Sequence, residues 1–548
     1  MSVPDVTVTV IVHNDAARLP RAVASVRRQT HANIEIVISD DHSTDGTPAV
    51  ARALAGQDHR IRYLRLPHNS GGCSAPRNRA LDIARAPYVM FLDSDDELPD
   101  DAVELLLAAH RQQPQLDFAM GAVRRIRVDT GRTTTWMPQL VAERRTVDGI
   151  EAEPRLFFEH LATSKMYARD FLDRHGLRFP EGIHYEDQLF SAQAYCLAKS
   201  FTIIPEPVYR WYIAPYAAGD AASISNQRHR LANVHDRVHV QTLVDAFLLE
   251  SGHAGIREEK DYKFLKHDFR MYAGDLPFRD GAWLTGFAEL VNPYLESLTP
   301  GAFERLPRAE RVVIQLVREL RLTEAVTAAR ELAGGVAPRT TTLSEGRLHW
   351  GDEVPSTDWA RRELDLSDEE LDTRPFPSAR FRHEITELSP GPGLSLCLTI
   401  RTYDPGFRLP VGPQRASLVL TPGRHPLLTP FRMDPVAPGV FEGQARLTPS
   451  AARLPFQGFH GVRHPLLRLE QGGMRNTGPL LAPLPFPSLT ARTGTHRLTA
   501  EPEPRTPGRL QLRWEPLGMT AKLIRPVVGR LAGRRVREAA RLVRGVLG

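Results

Sequence analysis

The chain has 548 residues, a formal net charge of +5 and three cysteines. This length is several times that of a typical domain, so we expect two to four domains. No run of about 18 apolar residues occurs and the chain does not open on a basic stretch followed by an apolar one, so neither a spanning helix nor a signal peptide is predicted. Cys73, Cys196 and Cys397 lack metal-ligand spacing, which argues against a zinc site and for reduced thiols in the cytoplasm.

The positive charge is concentrated in residues 520–548, which contain eight basic side chains and one acidic side chain. The rest of the chain is therefore slightly acidic, and this distribution argues against a nucleic-acid-binding protein. From about Pro526 the basic and apolar residues occupy opposite faces of a predicted helix, a pattern that suits the anionic surface of a membrane. The alternative is a helix that packs on the protein or on another subunit.

The first hundred residues alternate predicted strands with predicted helices. The elements are, in order, strand 6–12, helix 19–29, strand 34–39, helix 46–54, strand 61–66, helix 74–84 and strand 88–92. Such alternation predicts right-handed crossovers and a parallel sheet with helices on both faces. In open sheets of this kind, ligands bind at the carboxyl ends of the strands.

The strand predicted at 88–92 runs directly into Asp93, Ser94, Asp95 and Asp96. Because side chains alternate along an extended chain, Asp93 and Asp95 point to one side and Ser94 points away. Two carboxylates that converge on one spot suit Mg²⁺ or Mn²⁺, which keeps open positions for phosphate oxygens. An aspartate- and serine-rich turn that caps the following helix is the alternative.

Polar residues also follow the other predicted strands. They are His13 and Asn14, Asp40 and Asp41, and Asn69 to Gly72. Neither a Gly-x-Gly-x-x-Gly loop nor a Walker loop occurs, so no dinucleotide or P-loop nucleotide site is indicated. An aspartate at a strand end can accept from a base or a ribose, and Gly71 and Gly72 let the backbone approach a ligand before the helix that carries Arg77. The alternatives are that His13 merely ends a strand and that Arg77 is an ordinary surface arginine.

These segments, in register with the predicted strands, resemble the successive signatures of family-two glycosyltransferases with the GT-A fold. The matching segments are 8–14, 35–47, 69–78 and 91–96. The resemblance implies a UDP-sugar donor, with Asp41 on the uracil and Arg77 also close to the base. It implies that Asp93 meets the ribose and that Asp95 binds the metal that bridges the diphosphate.

Three further residues are assigned to the nucleotide sugar. Asn69 stands where the family makes another nucleotide contact, and we include Ser94, between the two acids, in the same group. Relatives carry an aromatic residue after the first strand that stacks on the base. This chain has His13 there, and an imidazole can also stack.

A second acidic motif, Glu186 and Asp187, precedes an apolar helical pattern. A helix N-terminus stabilised by its dipole is one interpretation. The pair also resembles the family's catalytic motif, whose second acid is the general base. The resemblance implies transfer with inversion, with Asp187 as base and Glu186 orienting it or touching the donor sugar. Because adjacent acids repel, a raised pKa is expected for one of them.

The segments 163–172, 179–181 and 186–190 resemble the poly(ribitol-phosphate) N-acetylglucosaminyltransferases that decorate wall teichoic acid. This resemblance implies UDP-N-acetylglucosamine or a similar donor, a polyol-phosphate or other polymeric glycan acceptor, and C-terminal β modules that form trimers. Transfer to a capsular or lipid-linked glycan and a non-catalytic carbohydrate- or nucleotide-binding scaffold are the alternatives.

We predict an α/β GT-A domain at 1–225, a helical subdomain at 226–335, a β-sandwich-like accessory domain at 336–515 and a basic amphipathic tail at 520–548. The tail leads us to expect a cytoplasmic protein held peripherally at the inner face of the cell membrane.

Overall fold

The structure is a computed structural model, and it describes residues 3–213, 227–332, 337–391, 395–421, 427–447, 461–482, 489–492, 496–502 and 510–516. The tail predicted at 520–548 lies outside these residues. The chain divides into two compact units, of which the first is Met1–Ala273, Arg279–Pro307 and Val317–Leu322, and the second is Gly274–Phe278, Arg308–Leu316 and Thr323–Gly548. Among the described residues, no helix combines the length and the apolar character that a membrane crossing requires.

The first unit begins with the predicted alternation of strands and helices. Its elements are β1 (Val6–Val12), α1 (Leu19–Arg27), β2 (Ile34–Asp40), α2 (Thr47–Gln57), β3 (Ile61–Arg65), α3 (Ser74–Ile83) and β4 (Tyr88–Asp93). β1 pairs in parallel with β2 and β4, and β2 pairs in parallel with β3. Every residue of β1 and β2 is buried, as expected for strands covered on both faces.

The sheet of the first unit continues beyond β4. The following elements are α4 (Ala102–Gln112), β5 (Phe118–Arg127), β6 (Thr133–Thr135), β7 (Arg145–Val147), β8 (Lys165–Ala168), α5 (Arg169–Arg174), α6 (Glu186–Leu197) and β9 (Phe201–Ile213). β8 lies antiparallel between β4 and β5, and β9 runs parallel to β5. Consequently β1, β4, β5 and β9 share one direction, and their carboxyl ends lie at the same edge.

The close pairing of β5 and β9 depends on a glycine. A Cβ atom on Gly121 would lie 2.6 Å from Cγ1 of Val208, so no larger residue fits without a shift of β9. β9 continues past this point to Ile213, and its last residues run beside the end of β5. The edge at which the acidic residues follow β4 is therefore extended by β5 and β9.

A helical region follows, as the pattern of apolar residues predicts. Its elements are α7 (Leu231–Glu250), α8 (Arg257–Lys263), a π-helix (Phe264–Phe269), α9 (Arg270–Asp275), α10 (Gly281–Ser297), α11 (Pro300–Glu304), α12 (Arg308–Arg318) and α13 (Leu322–Leu332). The buried face of α7 packs with α6 in one hydrophobic core, through Val240, Val244 and Leu248. The carboxylate of Asp280 caps α10 by accepting from the N–H of Trp283 at 2.8 Å.

The remaining elements form a β-rich region. They are β10 (Thr341–Ser344), β11 (Arg347–Trp350), α14 (Asp358–Glu363), β12 (Arg382–Gly391), β13 (Ser395–Tyr403), β14 (Gln414–Thr421), β15 (Leu427–Ala437), β16 (Val440–Leu447), β17 (Gly461–Gln471), β18 (Met474–Leu481), β19 (Leu489–Arg492), β20 (His496–Pro502) and β21 (Leu510–Pro516). The sheet runs from β14 through β15, β16, β13, β12 and β18 to β17, which pairs again with β14. The predicted β-rich fold is confirmed, and its strands close into one barrel-like sheet.

Candidate active site

The residues that follow β1, β2 and β3 form one hydrogen-bonded cluster. His13 Nδ1 lies 2.8 Å from the carbonyl oxygen of Asp41, and Asn69 Nδ2 lies 3.0 Å from His13 Nε2. The carboxylate of Asp41 accepts from the N–H of Ser70 at 2.9 and 3.2 Å. Sequence reasoning expected these strand ends to converge, and the contacts confirm that they do.

The loop after β3 is shaped for a close approach of its backbone. Gly71 has a φ of +80°, and its N–H donates to Asn69 Oδ1 at 2.6 Å. An L side chain rarely adopts this conformation, so glycine is favoured here. An ionised carboxylate offers about four lone-pair sites, so Asp41 keeps acceptor capacity beyond its bonds to Ser70.

Arg77 on α3 joins the two acidic motifs. Its Nη1 donates to Glu186 Oε1 at 2.6 Å, and its Nη2 donates to Asp93 Oδ1 at 2.8 Å. The guanidinium carbon lies 5.1 Å from the ring centroid of Phe179. Although burial lowers the pKa of Arg77, the charges of Asp93 and Glu186 raise it well above its ordinary value. One buried cation therefore holds the end of β4 against the start of α6.

Asp187 lies next to this ion pair but does not take part in it. Its carboxylate accepts no hydrogen bond from the described residues. Burial and the charge of Glu186 raise the pKa of Asp187 to about 7, against the opposing charges of Arg77 and Arg237. A carboxylate with a free oxygen and a pKa near neutrality is suited to accept a proton.

The residue before the pair is held in a strained conformation. Tyr185 has a φ of +67°, which is uncommon for a residue with a bulky side chain. Its hydroxyl donates to Asn233 Oδ1 at 2.8 Å, and the Arg237 guanidinium carbon lies 3.5 Å from its ring centroid. These contacts fix the turn from which α6 starts, and with it the direction of Asp187.

A buried charged network from the helical region supports α6. Arg237 Nη1 and Lys263 Nζ each donate to the Asp268 carboxylate at 2.7 Å, and Lys263 also donates to Gln188 Oε1. The sequence predicted a helical subdomain here but assigned none of its residues to the site, so these residues were missed. The signal available was the presence of charged residues in the pattern of helices, and a sequence does not reveal which of them are buried.

The loop after β4 keeps one carboxylate close to solvent. The Asp95 side chain is 37% exposed, and its Oδ2 lies 3.4 Å from Arg18 Nη1. Burial and the charge of Asp93 raise the pKa of Asp95. Hard oxygen donors with excess negative charge fit Mg²⁺ or Mn²⁺. Within the described ranges no group of three or more metal-ligating side chains occurs.

The two residues next to Asp95, Ser94 and Asp96, form hydrogen bonds within the protein. Ser94 Oγ donates to Asp15 Oδ2 at 2.7 Å, so its proton is already used and its contact to the nucleotide sugar stays a prediction. Buried Asp96 accepts from the Tyr209 hydroxyl at 2.7 Å and from the N–H of Tyr212 at 2.8 Å. Burial, followed by the charges of Asp95 and Asp93, raises the pKa of Asp96 well above its ordinary value.

Asp15 and Arg18, which hold this loop, were not predicted from the sequence. Arg18 Nε donates to Asp15 Oδ1 at 2.8 Å, and Arg21 Nη2 donates to the carbonyl oxygen of Asp95 at 2.5 Å. All three lie in α1 or just before it and belong to no recognisable motif. Their role depends on the parallel pairing of β1 with β4, which brings the start of α1 beside the acids.

Residues 7–176 match the family model Glycosyl transferase family 2, which confirms the family resemblance for this stretch. The chain is 31% identical over 220 residues to the putative glycosyltransferase EpsH of Bacillus subtilis, an alignment that covers 39% of this chain and 62% of that protein. It is also 31% identical over 214 residues to the poly(ribitol-phosphate) beta-N-acetylglucosaminyltransferase TarP of Staphylococcus aureus, covering 38% of this chain and 62% of TarP. The chain thus spans 62% of the length of each of these relatives.

Among solved structures, the chain resembles residues 1–349 of Staphylococcus aureus TarS in complex with UDP-GlcNAc. The TM-score is 0.51 at 19% identity, and the match covers 64% of this chain and 97% of that one. At this identity the likeness concerns the fold alone. Together with the family match, it confirms the predicted GT-A architecture.

Proposed function

Because residues 7–176 form a glycosyl transferase family 2 domain, we propose that the protein is an inverting, metal-dependent glycosyltransferase. It transfers a sugar, N-acetylglucosamine in our proposal, from a UDP-sugar to a hydroxyl of a cell-envelope polymer such as a teichoic acid. The donor is supported by the UDP-GlcNAc complex of a protein with the same fold, and the acceptor by the name of TarP.

The observation that carries the proposal is the double ion pair of Arg77. Its bonds to Asp93 and Glu186 bring Asp187 beside the loop that follows β4. A binding scaffold has no need for a carboxylate with a raised pKa at this position. An enzyme that must remove a proton from an acceptor hydroxyl does need one.

The donor is assigned to the ends of β1 to β4. We propose that Asp41, with His13 and Asn69 around it, accepts from the uracil, and that the imidazole of His13 stacks on the base. Asp93 takes the ribose hydroxyls, and Arg77 contributes positive charge beside them. Gly71, which has a φ of +80° and no side chain, allows the loop to lie close to the nucleotide.

Asp95 is the residue that would hold Mn²⁺ or Mg²⁺. When bound, such an ion offsets the negative charge of the leaving diphosphate. Asp95 must exchange its contact with Arg18, which at 3.4 Å and with partial exposure is a weak ion pair. Because Arg18 lies beside Asp95, it would contribute a second positive charge near a bound diphosphate.

Asp187 acts as the general base. An acceptor hydroxyl attacks the anomeric carbon from the face opposite the diphosphate, a new glycosidic bond forms, and the bond to UDP breaks. The hydroxyl proton passes to the Asp187 carboxylate, a step that contributes about 10² to 10⁴-fold in rate. Glu186, fixed by Arg77 at 2.6 Å, keeps α6 and therefore Asp187 in place.

Two further parts of the proposal concern location and assembly. We propose that residues 520–548, which lie outside the described residues, recruit the enzyme to the inner face of the cell membrane. The β-rich region, by analogy with the C-terminal modules of related enzymes, would bind polymer or join protomers into a homo-oligomer, a trimer in our expectation. Sedimentation of the full chain, alone and with anionic vesicles, measures both.

The test is a screen of UDP-sugars for UDP release by the full chain with Mn²⁺, with and without acceptor. We expect one donor to turn over and poly(ribitol phosphate) to stimulate release, whereas stimulation by a neutral capsular or lipid-linked glycan instead would support the alternative acceptor. Asp187→Asn should bind UDP as the wild type does and lose at least 10²-fold in transfer rate. An enzyme role is excluded if no UDP-sugar turns over and UDP binding alone remains.

A further inference from the structure

Arg125, near the end of β5, lies over two indole rings. Its guanidinium carbon is 5.1 Å from the ring centroid of Trp136 and 5.3 Å from that of Trp211. Trp211 is the register partner of Arg125 on β9, and Trp136 directly follows β6, its N–H donating to the carbonyl oxygen of Val123 at 2.9 Å. The two rings meet edge to face, with centroids 5.7 Å apart. Three backbone segments therefore build this group.

The guanidinium of Arg125 has no anionic partner among the residues that the structure describes. Among the described residues it forms no hydrogen bond and no ion pair, and its Nε is buried without a partner. Its neighbour on the same face of β5, Arg127, is paired with Asp129 at 2.8 Å, and Arg210 on β9 lies 3.7 Å from Glu97. Burial, and then the charge of Arg127, lowers the pKa of Arg125, as expected where no acid offsets the charge.

A partly buried guanidinium without a carboxylate is a suitable anion site. Burial costs the group hydration, and an arriving anion restores both charge balance and hydrogen bonds. The planar fork of arginine matches two oxygens of a phosphate, and the indole faces restrict its orientation. The same faces offer apolar area to the carbon–hydrogen surface of a sugar or polyol.

This group lies at the same sheet edge as the acidic residues. Trp211 lies between Tyr209 and Tyr212, which both bond to Asp96 in the loop that carries Asp95. In the other direction, the Trp136 ring lies 5.5 Å from that of His267, which precedes Asp268 of the network beneath α6. Arg125 is thus linked through packed side chains to both acidic motifs, on the half of the sheet opposite β2 and β3.

We propose that Arg125, Trp136 and Trp211 form the binding site for a phosphodiester of an anionic acceptor polymer, with the polyol carbons lying on the indoles. This inference rests on the proposed function, which assigns the donor to the ends of β1 to β4 and leaves this half of the edge for the acceptor. It makes Arg125 the residue that selects a phosphate-containing polymer over a neutral glycan.

The test compares Arg125→Gln with the wild type, using a synthetic ribitol-phosphate oligomer as acceptor. A charge-assisted bond contributes about 1.5–3 kcal/mol, so we expect the KM for the oligomer to rise about 10- to 100-fold while kcat changes little. UDP release from the donor without acceptor should stay at the wild-type rate. Arg125→Lys should recover only part of the loss, because an ammonium lacks the planar fork.

The matched control is Arg124→Gln, which removes an exposed arginine whose Nη1 donates to Thr135 Oγ1 at 2.7 Å. It should leave the KM for the oligomer within about twofold of the wild type, as a single exposed charge contributes little. The melting temperature of Arg125→Gln, measured in parallel, separates lost binding from lost folding. If neither Arg125→Gln nor Arg125→Lys folds, the wild type is titrated with the oligomer at two salt concentrations. An affinity that does not fall as the salt concentration rises then overturns the inference.

An unchanged KM in Arg125→Gln overturns the inference, as does an equal rise with a neutral glycan acceptor. Calorimetric titration of the oligomer, without any donor, keeps the test independent of catalysis. If the wild type releases no UDP from any donor yet binds the oligomer more tightly than Arg125→Gln, the proposed function fails and the anion site stands.

Discussion

The two acidic motifs each contain one carboxylate that Arg77 binds and a second carboxylate that it does not bind, but their surroundings differ. In each motif Arg77 binds one carboxylate, Asp93 after β4 and Glu186 at the start of α6. Arg77 does not bind the second carboxylate of either motif. Asp95 is 37% exposed with Arg18 beside it, whereas Asp187 is partly buried and experiences the charges of Arg237 and Lys263 from the helical region. The environment of each carboxylate, rather than its residue type, therefore distinguishes a ligand for a cation from a base.

Arg77 connects the two motifs, because its single positive charge is shared by one carboxylate of each, Asp93 and Glu186. Without Arg77, the charges of Asp93 and Glu186 would lose this partner and would act more strongly on Asp95 and Asp187. Asp95, on the solvent side, is then available to a cation, and Asp187, on the buried side, can accept a proton near neutral pH. Substitution of Arg77 should affect both motifs, whereas substitution of Asp95 or Asp187 should affect one motif alone.

The largest effect is expected for Arg77→Gln, which removes the ion pairs to both Asp93 and Glu186. Loss of one partner of a buried ion pair costs about 3–5 kcal/mol of unfolding free energy. It also leaves Glu186 uncompensated, which raises the pKa of Asp187 further and lowers the transfer rate at pH 7 by about 10²-fold or more. Denaturant unfolding and initial rates measure the two effects.

Arg77→Lys should not restore either property, because one ammonium cannot serve two carboxylates in the geometry of a guanidinium. The control is Arg79→Gln on the same helix, where the side chain is 61% exposed and lies 3.6 Å from Asp82. Its stability should stay within about 0.5 kcal/mol of the wild type. Full activity in Arg77→Gln would show that the two motifs work independently.

Asp95→Asn removes the proposed metal ligand after β4 and leaves Asp187 and its surroundings unchanged. We expect the Mn²⁺-dependent part of UDP affinity to fall about 10- to 100-fold, because the protein loses its ionised ligand, with little change in the melting temperature. Calorimetry of UDP with Mn²⁺ and with EDTA measures the difference. Asp101→Asn, an exposed aspartate at the end of the same loop, is the control and should bind UDP normally. Metal-independent UDP binding in the wild type would contradict the assignment.

The smallest effect is expected for Asp187→Asn, and it concerns the pH dependence of the free energy of unfolding. The folded-state pKa of Asp187, about 7, lies above that of an unfolded aspartate, so the folded state binds its proton more tightly and stability falls as pH rises from about 4 to 7. Asp187→Asn stays neutral and should unfold with about 1–3 kcal/mol more free energy than the wild type at pH 8, and with no difference below pH 4. Asp170→Asn, at an 82% exposed side chain, should show no such trend.

Much of the first sheet was predictable because its signals are local. The strands β1 to β4 are buried runs separated by amphipathic helices, and the ends of such strands must meet at one edge. The insertion of β8 between β4 and β5 was not predicted. β8 contains only four residues, and its pairing depends on partners far away in the chain.

The candidate site was predictable in its residues but not in their connections. The resemblance identified Asp93, Asp95, Glu186 and Asp187, yet nothing in a sequence states that one arginine bonds to two of them. Such a bond depends on the position of Phe179, whose ring stacks on Phe190 of α6 and lies 5.1 Å from the guanidinium carbon of Arg77. For the same reason the support from Arg237 was missed, because a charged residue on a helix is usually solvated and here it is buried.

The pH dependence of kcat/KM for sugar transfer tests the difference between Asp187 and Asp95 most directly, because this ratio reports the pKa of the free enzyme's base. The rate should rise about tenfold per pH unit up to a midpoint near 7 and then level off, and the residual rate of Asp187→Asn should be flat over the same range. A midpoint near 4, or the same limb in Asp187→Asn, would contradict the assignment of Asp187 as the base.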